Sequence, residues 1–190
     1  MSGFAFDLVR HTPVRPSRQR TTSLSLTGTA GPYGEVAVTV GTVPRVATLA
    51  APGLPDCSVT HPDNTRQGLI AVDGHTRLTL GELTATIGQN RRSLGKKGRG
   101  FSIRLGERDY AYLSVATAEE ELRDEARGPL VRLRIPLASS KVAVTVMPEA
   151  DAADLALALV LQGADRTSLT VTQAAVSGVM AFLQNGKDEA

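Results

Sequence analysis

Hydrophobic residues alternate with polar ones along most of this chain, and the period is two rather than 3.6. Leu24 and Leu26 alternate with Ser23, Ser25 and Thr27, and the pattern resumes at Val36, Val38 and Val40 after the turn-forming Gly31-Pro32-Tyr33-Gly34. Side chains two apart on an extended chain share a face, so each run predicts a half-buried strand. Residues 69–72, closed by the hairpin dipeptide Asp73-Gly74, predict another, as do residues 77–80 and 83–87. Alternation returns at Phe101, Ile103 and Leu105, at Ala111, Leu113 and Val115, at Val131, Leu133 and Ile135, and at Val142, Val144 and Val146. About eight to ten short strands at hairpin spacing predict a mainly antiparallel β-sandwich or barrel. The acidic stretch 119–127 reads as a short helix or as the far end of a hairpin; Asp124 and Gly128, at turn positions, favour the hairpin.

Two regions break the alternation. Residues 10–20 hold two prolines and four arginines with no apolar period, so residues 1–21 read as a flexible basic arm. Residues 43–66 carry Pro44, Pro52, Pro55 and Pro62 and read as a long connection, either functional or hiding a short strand at 46–49.

The last third changes character. Pro148-Glu149-Ala150-Asp151 is helix-start chemistry, its acidic groups suiting the positive end of the helix dipole. Residues 154–162 follow, stopped by Gly163, and here Leu155, Leu157, Leu159, Val160 and Leu161 with Ala156 and Ala158 leave no polar face. A helix apolar on all sides is buried on all sides. A last strand at 167–171 and a second helix at 173–184 complete the expectation: one α+β domain over 22–184, then a tail at 185–190.

Many short strands leading through 141–147 into the wholly apolar PEADAADLALALVLQ resemble the tubby-like fold, shared with LURP-one and phospholipid-scramblase-related proteins. The resemblance rests on element order across residues 22–184. It implies a closed β-barrel around a hydrophobic helix, and an association with lipid headgroups or membrane surfaces. The helix at 173–184 and the proline-rich 43–66 depart from that pattern, and no motif carries a family residue across.

Composition narrows the chemistry. A hydrophobic share of 42% with 21% charged residues excludes a disordered chain. One cysteine excludes a disulfide framework and any multi-thiolate zinc site. The formal charge of +2 hides a polarised sequence, basic over 61–108 and acidic over 109–190. Arginine far outnumbers lysine, a bias that points to a high-GC bacterial source. No apolar run follows a charged start, and the longest apolar stretch, 155–161, is far short of the roughly 20 residues of a membrane helix, so a cytoplasmic, non-transmembrane protein is expected.

Residues 90–100, NRRSLGKKGRG, place five cations among three glycines. Arg91, Arg92, Lys96, Lys97 and Arg99 are the candidate anion- or partner-binding residues, since glycine frees backbone amides and the cations supply charge. The spacing is not that of a phosphate-binding P-loop. A solvated hairpin loop whose charges deter strand pairing accounts for the same residues. Cys57 with His61, oriented by Asp56 or Asp63, would be a thiol–imidazole pair, and the same two with His75 an incomplete metal set. Gly-x-Ser-x-Gly and Gly-x-Gly-x-x-Gly are absent, Glu119-Glu120-Glu121 reads as a solvated face, and Tyr110 and Tyr112 read as covering a core edge. The sequence therefore implies no catalytic residue, metal or cofactor. It predicts a non-catalytic binding or assembly module meeting a protein partner, another copy of itself, or an anionic surface such as lipid headgroups or nucleic acid. Head-to-tail oligomers and, behind them, a small Cys57/His61 enzyme are the alternatives.

Overall fold

The computed structural model describes residues 2–11, 22–41, 44–62, 68–89, 100–136, 139–166 and 169. Alternating segments form β1 (Phe4–Arg10), β2 (Thr22–Thr29), β3 (Glu35–Gly41), β4 (Val46–Ala50), β5 (Cys57–Thr60) and β6 (Arg77–Leu80). They continue as β7 (Leu83–Gln89), β8 (Gly100–Leu105), β9 (Arg108–Ala116), β10 (Glu119–Asp124), β11 (Gly128–Arg134) and β12 (Lys141–Val146). Each pairs antiparallel with the next, and β1 also pairs with β12, so these strands close into one barrel. The closing register sets Phe4 opposite Val146 and Leu8 opposite Val142.

The twelve described strands exceed the expected eight to ten, and the sheet is closed rather than a sandwich. β1 lies within the segment read as an arm: Phe4, Phe6 and Leu8 turn inward at a period of two, and their partner β12 is more than a hundred residues away. The proline-rich connection hides two strands, the expected β4 and the unexpected β5, each too short to show a period between prolines. Residues 69–72, expected as a strand, pair with other described residues through one parallel bridge, between Ile70 and Ala164. The acidic stretch is a hairpin: the Asp124 carboxylate accepts from the backbone N–H groups of Ala126 and Arg127, and Gly128 takes the left-handed φ of 79° that completes the turn.

Inside the barrel runs α1 (Ala152–Val160), followed by a 3-10 turn at Leu161–Gly163. Asp151 caps it: its carboxylate accepts from Asp154 N–H at 3.0 Å, and the Asp154 carboxylate accepts from Asp151 N–H at 2.8 Å. Leu155, Leu157, Leu159 and Leu161 are all wholly buried, against side chains that include Val38, Val59, Leu78, Val131 and Val144. Burying each leucine stabilises by about 1.5–3 kcal/mol. Among the described residues α1 is the one α-helix; the second helix expected at 173–184 and the strand at 167–171 fall outside them, apart from Leu169. No helix among the described residues is long and apolar enough to cross a membrane.

Depth and rotation of the helix are set where it leaves the barrel. A Cβ on Gly163 would sit 2.4 Å from the Ala47 Cβ and 2.9 Å from Val40 Cγ2, so β3 and β4 accept only glycine there. Gly163→Val should lower the free energy of unfolding by about 1–3 kcal/mol, measured by urea denaturation followed by circular dichroism; unchanged stability would mean the helix end is not packed against β3 and β4.

Candidate functional site

Alternation of strand direction gives the barrel two unlike ends. At the end where α1 begins, strands are joined by residues 30–34, 51–56, 81–82, 106–107 and 125–127, and 147–151 lead into the helix. These connections hold six carboxylates (Asp56, Glu82, Glu107, Glu125, Glu149 and Asp151) and one cation, Arg127. At the end where α1 finishes, the joins are residues 11–21, 42–45, 61–76, 90–99, 117–118 and 135–140. In the sequence those carry ten arginines and lysines against Asp63 and Asp73. In the sequence, the two sets of connections therefore differ in charge.

At the acidic end a buried knot fixes the helix. Asp154, with no exposed surface, accepts from Arg127 through both oxygens, at 2.7 and 2.9 Å, and from the Tyr110 hydroxyl at 2.8 Å. Arg108 donates to Asp151 at 2.7 Å and reaches Asp154 at 3.4 Å. The helix N-terminus, both flanking hairpins and β9 are thereby tied at one carboxylate. Burial disfavours ionisation of Asp124, but the N–H groups of Arg127 and Ala126 and the Arg127 guanidinium outweigh it, holding the carboxyl below its ordinary range. Asp151 is held low in the same way, burial being outweighed by the Asp154 N–H and Arg108. Burial pushes the Tyr110 phenol up to about 12, leaving it a proton donor at neutral pH.

At the basic end a second network lies under the mouth. Tyr112, stacked on Phe101 at 6.3 Å between ring centroids, donates to Glu120 at 2.5 Å and accepts from Gln162 at 2.7 Å. Arg166 donates to Glu120 at 2.5 Å and to Gln162 at 2.7 Å. Burial and the Glu120 carboxylate raise the Tyr112 phenol well above its ordinary value. Across the mouth run residues 69–76: Ile70 N–H donates to Gly163 O at 2.8 Å, Asp165 N–H donates to Ile70 O at 2.7 Å, and the Arg45 guanidinium donates to Leu69 O. His61 meets Asp73 at 3.0 Å on the same segment. Arg10, the last residue of β1, follows Leu8 on the inward-facing side.

Several expectations change. Glu120 and Glu121 are buried, not solvated, because a register shift between Glu119 and Glu120, beside Ala118 at φ 60°, turns Glu120 into the barrel. Glu121 stays outside but is covered by Arg132 at 2.8 Å and Arg123 at 3.4 Å. Tyr110 and Tyr112 do not cover a core edge but face the helix. Cys57 is 4% exposed, and burial pushes its thiol up to about 12, so it is no thiolate at neutral pH. His61 lies just past the far end of the same strand, roughly 13 Å along it at 3.3 Å per residue; the thiol–imidazole pair is not assembled. No cluster of His, Cys, Asp and Glu suited to a metal occurs among the described residues.

Arg91, Arg92, Lys96, Lys97 and Arg99 lie outside the described residues, while Gln89 and Gly100, which flank them, stand at the basic end. Sequence reasoning passed over Arg45 and Arg166 at that same end and took Arg10 as part of a basic arm; an arginine two residues beyond Leu8 in an alternating run was the available signal that Arg10 belongs to a strand. On the outer wall, a groove of about 780 Å³ is lined by Gly88, Ser102, Arg104, Asp109, Ala111 and Arg123. Its charges offset each other, Arg104 meeting Asp109 at 3.4 Å.

Asp154→Asn should cost about 3 kcal/mol, because two arginines lose the carboxylate they share. Asp124 and Asp151, ionising at lower pH folded than unfolded, add stability that is complete above about pH 4 and disappears as pH falls through their folded values. Urea unfolding of the wild type, of Asp154→Asn at pH 7, and of an Asp124→Asn/Asp151→Asn variant at pH 7 and pH 3 checks both points: Asp154→Asn should show the loss at neutral pH, and the wild type should lose more stability on acidification than the double variant. Comparison with protein-family models, curated proteins and solved structures finds no match to this chain.

Proposed function

We propose that this protein is a non-catalytic binding module that presents the basic end of its barrel to an anionic partner, either an acidic protein surface or a surface such as lipid headgroups or nucleic acid. The reading is supported by the charge that the sequence gives the connections, ten cations to two carboxylates in those that follow β1, β3, β5, β7, β9 and β11, and one cation to six carboxylates in the others. A charge difference of this kind orients a partner during approach and raises the association rate. Arg91, Arg92, Lys96, Lys97 and Arg99 are the proposed contact residues, since their segment starts and ends at the basic mouth. A closed barrel around a buried helix is also what the tubby-like resemblance implies, and this agreement supports a tubby-like ancestry as part of the proposal. A cytoplasmic setting fits the same reading.

Head-to-tail self-association is the second reading, favoured by the acidic end. A basic mouth on one copy and six carboxylates on the next are complementary and heterologous, so the contact can repeat into rings or filaments.

Reversal of Arg91, Arg92, Lys96 and Lys97 to glutamate separates these outcomes. Co-sedimentation with vesicles containing phosphatidylserine, binding to an immobilised polyglutamate peptide, and light scattering of the protein alone should each be run at about 50 and 200 mM salt. Partner binding should fall steeply with salt, and by at least tenfold in the variant. A mass several times 20 kDa at low salt that drops to the monomer in the variant would establish assembly instead. Binding and mass indifferent to salt and to the reversal would refute both.

A further inference from the structure

We draw no further inference here: the strongest candidate, the groove on the outer wall over Gly88, Ser102 and Ala111, carries none, because its floor is a stripe of small residues, Arg104 is taken up by Asp109 and Arg123 by Glu121, and nothing in the structure shows what covers it.

Discussion

A helix without a polar side cannot lie on a surface. The sequence LALALVL has to be enclosed on every side at once, and that requirement governs the architecture around it. Eight strands enclose a space that side chains alone can fill; the twelve strands seen here leave a wider interior, and the helix fills it. Closure is equally forced from outside, because an open edge between β1 and β12 would expose both unpaired backbone and the leucines behind it. Barrel and helix are therefore each incomplete without the other.

Enclosure creates a second problem, which the two ends solve differently. A buried helix leaves unpaired N–H groups at its start and carbonyls at its finish. At the start, Asp151 and Asp154 cap the helix reciprocally, and Arg127, Arg108 and Tyr110 absorb the carboxylate charge. At the finish, Ile70 takes up the Gly163 carbonyl and Gln162 reaches Tyr112. The two tyrosines of β9, adjacent on one face of the strand, thus grip opposite ends of the helix. The acidic end comes out compact and internally paired. The other end is joined by longer connections whose sequence is rich in cations, and among the described residues it keeps the Nε donors of Arg10 and Arg166 unpaired, so it is there that contact with something outside the molecule makes physical sense.

Much of this fold was legible locally. Period-two alternation located most strands, and the apolar run after an acidic N-cap located the helix, because both depend on neighbours in sequence. What was hidden depended on distant partners. Phe4, Phe6 and Leu8 alternate correctly, yet only pairing with β12 makes them a strand rather than the start of an arm. Residues 69–72 carry a strand's composition but cross the mouth, where one bridge to Ala164 is their pairing with other described residues. Glu120 reads as surface because a register shift of one residue is invisible in a run of three glutamates. For the candidate site the difference is sharper: the glycine-rich cations announced themselves, whereas Arg10 and Arg166, far apart in sequence, come to the same end of the molecule only through barrel closure.

Native-state hydrogen exchange on the amides of residues 155–160, compared with those of β1 and β12 across a denaturant series, tests most directly the claim that helix and barrel are one cooperative unit. If so, helix and closing-strand amides should share a single exchange free energy equal to that of global unfolding. Helix amides that exchange through an opening of lower free energy, with the strands still protected, would contradict it, since the helix would then be leaving a barrel that stands without it.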